Sequence, residues 1–285
     1  MNNSAKYRIT NPIKLSEITT KEFIPDSKKL LKKKRKKLSD LQNTMYAEGK
    51  YGALICIQGM DTSGKDSLIR EVFKDVNARG VLVHSFKVPT EVELNHDFLW
   101  RHYIALPEKG KMSIFNRTHY ENVLVTRVHP QYILAENIPH INSVEDLTDD
   151  FYHDRMERIN QFENHIATNG TIVLKFFLHL SKNEQKHRLL RRLDIPEKNW
   201  KFSKSDLKER KLWDKYQACY EDAINRTSKP NAPWFVIPAD DKPTARLLLA
   251  NILIEELQKY NFKPPTLSEE LLANLDEFKA QLNNE

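Results

Sequence analysis

Residues 53–70 read ALICIQGMDTSGKDSLIR. A short apolar run, Ala53–Gln58, enters a glycine-containing loop, and a helical pattern follows from Lys65 to about Asn77. Gly59, Gly64 and Lys65 satisfy G-x-x-x-x-G-K in the strand–loop–helix setting that this phosphate-binding loop requires. The glycines let backbone N–H groups turn inward around an anion. The helix N-terminus adds partial positive charge, and Lys65 supplies a full charge on a phosphoryl group in transit. Gly59, Thr62, Ser63, Gly64, Lys65 and Asp66 are therefore the expected phosphate contacts. The serine or threonine that normally follows the lysine, a Mg²⁺ ligand, is replaced by Asp66. Asp61 places a carboxylate inside the loop, and hard cations prefer such oxygens. The metal role accordingly falls to Asp61, and Asp66 reads as a charge at the helix N-terminus.

Four more strands are expected, at Val81–Val88, Met112–Asn116, Thr171–Leu178 and Trp234–Ile237. Helical patterns lie between them. Val144, Leu147, Phe151, Ile159, Phe162 and Ile166 share one face; Trp213, Tyr216, Tyr220 and Ile224 share another. Leu249, Ile252, Leu253, Leu257 and Tyr260 mark the last. Strands alternating with helices predict an α/β fold: a doubly wound, parallel, five-stranded sheet covered on both faces. Ligands of such sheets sit at the carboxyl ends of the strands. The third strand ends in Phe115-Asn116-Arg117-Thr118-His119-Tyr120-Glu121. Asn116 stands where a Walker B strand has aspartate. Glu121, about one turn past Arg117, restores a carboxylate and is the second expected metal ligand. Arg117 is placed to clamp phosphate bidentately, with Arg127 further along the same helix. Lys87, after the second strand, is expected to touch phosphate or acceptor, with Arg101 and His102 as weaker candidates beside it. Alone, the segment 115–127 reads as a capped helix with a surface ion pair; the loop before it favours function.

The chain has 285 residues, 40% of them hydrophobic, enough for one large α/β domain with appendages. Residues 1–50 comprise a polar arm to Pro25 and a helix capped at Asp26 or Ser27 and stopped by Gly49. Leu31, Leu38, Leu41 and Met45 share a face of that helix. Residues 51–262 form the core, and 263–285 a polar tail with one short helix. Charge is strongly clustered. Residues 28–37, KKLLKKKRKK, carry eight positive charges and no negative one, against +6 for the whole chain. Lys175 to Lys211 holds twelve Lys and Arg against five Asp and Glu. Within it, about 180–212, Ser181-Lys-Asn-Glu184 spells a capping box. Arg188, Arg191 and Arg192 then fall at i, i+3 and i+4 and share a helix face. Lys201 sits in a connection of positive and aromatic residues. The segment reads as a mobile lid that closes over phosphates. Such clustering points to a polyanionic partner: polyphosphate, nucleic acid or membrane lipid. The Lys-rich helix stays open to three readings: a solvated face, a contact for a long polyanion or nucleic acid, or a subunit interface through its Leu seam.

There is no run of about 18 apolar residues, so no membrane span is expected. The opening MNNSAKYRIT lacks an apolar h-region and is not read as a secretory signal. Cys56 and Cys219, among apolar or aromatic neighbours, are expected to be buried thiols, as in a reducing cytosol. The histidines and cysteines show no zinc spacing, and no G-x-S-x-G hydrolase signal occurs.

Four motifs in order, G-x-D-x-x-G-K-D from Gly59, F-N-R-x-x-Y-E from Phe115, P-E-K-N-W-K-F from Pro196 and A-P-W-x-x-x-P-A-D-D-K from Ala232, resemble the family-2 polyphosphate kinases over about residues 26–262. The resemblance implies a thymidylate-kinase-like fold with a helical lid and a cytoplasmic homo-oligomer. It implies phosphoryl transfer, dependent on Mg²⁺ or Mn²⁺, between inorganic polyphosphate and nucleoside mono- and diphosphates such as AMP, ADP, GMP and GDP. By matching positions, Asp61, Lys65 and Arg117 carry over as catalytic residues, and Arg188 and Arg192 as polyphosphate contacts. Many members have aspartate at the position of Asn116. Asn116 with Glu121 resembles the branch that acts on both mono- and diphosphates, which adds Asn116, Arg117, Glu121 and Lys87 as nucleotide contacts. Two other readings compete: an ATP-dependent nucleotide kinase, and a nucleic-acid-binding P-loop protein that uses the Lys-rich helix.

Overall fold

The computed structural model describes residues 3–284. The strands are β1 (Gly52–Gly59), β2 (Val81–Ser85), β3 (Met112–Asn116), β4 (Thr171–His179) and β5 (Trp234–Pro238). All neighbours are parallel, in the order β2-β3-β1-β4-β5. This is the five-stranded doubly wound sheet that the alternating pattern predicts. The helices that frame it are α1 (Ser27–Glu48), α2 (Lys65–Val72), α3 (Glu121–Val128), α4 (Asp149–Thr168), α5 (Lys182–Asp194), α6 (Lys204–Lys211), α7 (Trp213–Thr227) and α8 (Lys242–Gln258).

β1 is buried along its whole length because it lies in the middle of the sheet with helices on both faces. Ala53, Ile55 and Ile57 join the core that α1, α2 and α8 cover. Leu54 and Cys56 point the other way, towards Phe162 and Ile166 of α4. Phe177, Trp234 and Val236 join α3 and α7 in a third cluster. α8 is apolar nearly all round, since α1 packs on it and closes the side away from the sheet. The register sets Ile57 beside Asn116 and Gly59 beside Leu178. The loop after β1 therefore opens between the carboxyl ends of β3 and β4.

Several expectations shift. β2 ends at Ser85 and α2 at Val72, both earlier than the sequence pattern suggests. The tail 263–284 holds two short helices, Glu269–Ala273 and Leu275–Asn283, in place of one. Residues 3–25 are no free arm. Arg8 bridges Phe235 antiparallel at the β5 edge, the Ile9 N–H donates to the Trp234 carbonyl at 2.9 Å, and Tyr7 and Leu15 are buried. The seam of Leu31, Leu38 and Met45 is also buried. Its contact with α8 removes it as a subunit interface and leaves the lysines of α1 facing outward. Cys56 and Cys219 are free and buried, as expected. Among the described residues no helix is long and apolar enough to cross a membrane.

Candidate active site

β1 delivers the loop to the top of the sheet. Gly59 holds φ +155°, and a Cβ there would stand 2.8 Å from Ser63 Oγ and 3.0 Å from the Leu178 carbonyl oxygen. Only glycine passes. Thr62 adopts φ +64°, a conformation that costs a side-chain-bearing residue energy and persists only where the surroundings impose it. Arg188 of α5 imposes it. Its Nε donates to Glu184 at 2.7 Å, its Nη1 to the carbonyls of Thr62 and Ser63 at 3.0 and 2.9 Å, and its Nη2 to those of Ala239 and Asp240 at 2.6 and 2.9 Å. A guanidinium has five N–H donors, and all are spent. Arg188, expected to contact polyphosphate, here ties the phosphate loop to the turn before α8.

Lys65 Nζ donates to the carbonyls of Gly59 and Met60, at 2.7 and 3.3 Å. Burial, and then the charge of Arg117, push its pKa below the ordinary lysine value, while Glu121, Asp61 and Asp66 oppose them. These four residues come from two strand ends, and their charges converge on one ammonium group. Arg117 is exposed and takes the left-handed conformation, φ +59°, at the turn out of β3. Asn116 Nδ2 donates to Asp66 Oδ1 at 2.6 Å and to Ser85 Oγ at 3.4 Å, which joins the ends of β2, β3 and α2. The Asp66 side chain is therefore an acceptor for Asn116. What it offers an anion is its backbone N–H in the first turn of α2.

The segment 180–212 lies over the loop. Gln185 Nε2 donates to the Asp61 carbonyl at 3.2 Å. Arg192 Nη1 donates to Asp61 Oδ2 at 3.2 Å, Asp206 Oδ2 at 3.0 Å and the Lys201 carbonyl at 3.2 Å. Burial and the neighbouring Asp61 charge raise the Asp206 pKa above the ordinary aspartate value. Arg191 and the Lys201 side chain are exposed. The three arginines that share a helix face by spacing thus separate into one buried, one half-buried and one exposed. Ser181 caps α5, but Glu184 turns to Arg188 instead of closing a capping box.

Two expected contacts lie elsewhere. Arg127 donates to Asp222 at 2.6 Å and Asp149 at 2.7 Å and stacks on Tyr152. Paired with two carboxylates, it joins α3, α4 and α7. His102 is buried among Phe86, Phe115 and His119, and burial pushes its pKa well below the ordinary histidine value. It is a neutral core residue. Lys87 is exposed, and its carbonyl accepts from Arg101 Nη2 at 2.8 Å. Arg101 is also paired with Glu93 and lies in the field of Glu121.

The profile of the polyphosphate kinase 2 family matches residues 25–265. This chain belongs to the polyphosphate kinase 2 family. It is 43% identical over 253 residues to the ADP-polyphosphate phosphotransferase of Rhodopseudomonas palustris, covering 89% of this chain and 86% of that one. It is 45% identical over 240 residues to the AMP/ADP-polyphosphate phosphotransferase of Meiothermus ruber, covering 83% and 84%. The crystal structure of polyphosphate kinase 2 from Arthrobacter aurescens TC1 matches with a TM-score of 0.90 at 32% identity, covering 100% of this chain and 98% of that one.

Three features of this polyphosphate kinase 2 were not foreseen from its motifs. Gln58, buried at the end of β1, donates to Thr118 Oγ1 at 3.1 Å and to Glu121 Oε1 at 3.0 Å, and so aims Glu121. The signal was a lone amide closing an apolar strand. Below the β3–α3 turn, Lys175 donates to Tyr120 Oη at 2.8 Å, to the Thr227 carbonyl at 2.7 Å and to Glu163. Glu163 in turn accepts from Tyr120 at 2.9 Å and faces His119 at 3.0 Å. This network anchors His119 and Tyr120, which lie between Arg117 and Glu121. Finally, Lys242 opens α8 beside the loop, and burial together with Arg188, Arg246 and Arg191 pushes its pKa down to about 8. Among the described residues no three His, Cys, Asp or Glu side chains form a metal cluster.

Proposed function

We propose that this chain moves the terminal phosphoryl group of inorganic polyphosphate to a nucleoside mono- or diphosphate, and runs the same step in reverse. The observation that carries the reading is the phosphate loop with Lys65 Nζ on the carbonyls of Gly59 and Met60, and the ends of β1 and β3 joined beside it by Asn116 to Asp66 and Gln58 to Glu121. The names of the relatives supply the substrate class: polyphosphate with ADP, and with AMP or ADP.

An oxygen of the nucleotide's terminal phosphate attacks the last phosphorus of the chain. A new P–O bond forms in line with the bond to the next phosphate, which breaks and leaves a chain one unit shorter. The attacking oxygen is already anionic, so no strong base is required, and positioning and charge carry the rate. The loop amides and Lys65 hold the transferred group, while Arg117 neutralises its equatorial oxygens and, with Asn116 and Lys87, borders the nucleotide. Asp61 and Glu121 fit Mg²⁺ or Mn²⁺, because a small hard cation binds through one or two carboxylates and the substrate phosphates. Asp61 engages Arg192 through Oδ2 and Glu121 engages Gln58 through Oε1, so each keeps a second oxygen for the ion. Bound there, the ion would neutralise phosphate charge. The segment 180–212 acts as the lid, latched by Arg192 on Asp61, with Arg191 and Lys201 as its phosphate contacts.

Purified protein with polyphosphate, ADP and Mg²⁺, and no ATP, is expected to form ATP only when polyphosphate is present; an ATP-dependent nucleotide kinase forms ATP from ADP only by disproportionation to ATP and AMP, at the same rate without polyphosphate. The same assay with AMP and GDP reads the acceptor range. Lys65→Ala and Asp61→Ala each lower kcat by about 10²-fold or more, as loss of preorganised charge does. Near-normal rates in both variants would refute the assignment.

A further inference from the structure

The transfer step described above uses neither the Lys-rich face of α1 nor the cations on the flank of the loop away from β3. They are continuous. The Cβ that Gly64 lacks would lie 3.7 Å from Lys242 Cε and 3.8 Å from Arg188 Nη1, so Lys242 stands directly beside the phosphate loop. Arg246 follows one turn later on the same face of α8. Among the described residues, neither Lys242 nor Arg246 makes a hydrogen bond or an ion pair, and Arg246 Nε is buried without an acceptor. Arg246 lies in the field of Arg70 of α2 and Arg35 of α1, which both pair with Glu71, at 3.2 and 2.7 Å. Lys28 and Lys32 precede Arg35 by seven and three residues. Helical geometry puts both on its outward flank, and both are exposed.

Charge decides what this row is for. The acids that act on its inner end are Glu71 and Glu184, and both are engaged: Glu71 pairs with Arg35 and Arg70, and Glu184 is bound to Arg188. Like charges lined up with so few partners repel one another, and that is unfavourable unless an anion gathers them. A compact ligand at the loop does not extend from Gly64 to Lys28; a linear polyanion does.

We propose that Lys242, Arg246, Arg70, Arg35, Lys32 and Lys28 form an outer polyanion track, which holds the part of a phosphate chain beyond the unit that reacts. It rests on the polyphosphate reading above and adds chain-length selection to it: donors too short to pass Arg246 forgo the outer half of the track. Neutralising the row displaces counterions, so the preference for long chains weakens as salt rises.

The test uses the full chain with Lys28→Gln, Lys32→Gln and Arg246→Gln combined, and ADP as acceptor. KM and kcat are measured for long-chain polyphosphate and for the shortest chain that the wild type turns over, each at low and high salt. The expected result is a KM for the long chain raised about tenfold, with a shallower salt dependence, while kcat, the ADP KM and the short-chain KM stay within about twofold of wild type. An unchanged long-chain KM overturns the track, and so does an equal rise for both donors. If the triple variant melts early, the double variant of exposed Lys28 and Lys32 gives the same readout without disturbing α8. A variant that loses affinity for single-stranded RNA but keeps its long-chain KM assigns the row to nucleic acid and overturns the proposal. Wild-type protein that makes ATP from neither donor overturns the functional reading and the track together. ATP made with equal KM from both lengths leaves the function standing and removes only the track.

Discussion

Lys175 interrupts the apolar run TIVLKFFL of β4 and is fully buried. By sequence its charge counts in the basic region 175–211, but the side chain is buried and its charge is taken by Glu163, which leaves it no polyanion to meet. Glu163 follows Phe162 on α4 and is buried with it. Burial works against the Glu163 carboxylate, but the Lys175 ammonium and the His119 hydrogen bond outweigh it and hold its pKa below the ordinary glutamate value. The sign follows from linkage. A carboxylate with a depressed folded-state pKa adds stability above its unfolded pKa and loses it as pH falls through the folded one. Glu163→Gln is therefore expected to cost about 3–5 kcal/mol at pH 7, the penalty for stranding a buried charge. It should also flatten the acid limb of the stability curve. Urea melts at pH 7 and at pH 4.5 read both. A loss under about 1 kcal/mol at pH 7 would mean that Lys175 sheds its proton without Glu163, and that the network does not depend on the ion pair.

Secondary elements announce themselves through period and punctuation, and the phosphate loop through its glycines. Helical spacing shows that Arg188, Arg191 and Arg192 share a face. It does not show that α5 lies flat enough on the loop to bury the first and expose the second. Nor does spacing show the partners of Arg127: Asp149 and Asp222 come from α4 and α7, which no local pattern links to α3. β2 ends early because it is the sheet edge, where Leu82 and Val83 face solvent and nothing prolongs pairing past Ser85. α5, the loop and the turn before α8 act as one unit through Arg188. Arg188→Ala strands four carbonyls and Glu184, and each unmet buried acceptor costs about 1–3 kcal/mol. A loss of at least about 3 kcal/mol is expected in urea unfolding, and kcat should fall about 10²-fold as the loop relaxes. Arg188→Lys, with three donors for five acceptors, should recover only part of both. A variant with normal kcat would show that the loop holds its shape unaided.

At the scale of the whole molecule, the family match begins at residue 25, yet the chain before it is built into the fold. Its polar composition suggests an arm. Tyr7, Ile9, Ile13, Leu15 and Ile18 acquire meaning only against an edge that forms more than two hundred residues later. β5 is the last strand of the sheet, and the bridge from Arg8 to Phe235 covers an edge that otherwise presents unpaired backbone to other chains. The arm also reaches the site's scaffold. The Thr20 carbonyl accepts from the Asp240 N–H at 3.0 Å and Thr20 Oγ1 donates to Asp240 Oδ2 at 2.9 Å, on the turn whose carbonyls bind Arg188. Burying Leu15 and the Tyr7 ring contributes about 1.5–3 kcal/mol each. At roughly 2–4 °C per kcal/mol for a chain of this size, deleting residues 1–24 should lower Tm by about 6 °C or more. Light scattering on heating should rise as the β5 edge is freed. Because Asp240 loses its tether, kcat should fall with Tm, and Thr20→Val alone should reproduce part of the kcat loss with little of the Tm loss. A truncated chain that melts within about 2 °C of full length and does not scatter would mean that the arm's contacts stabilise nothing, and that β5 is protected by its own short length.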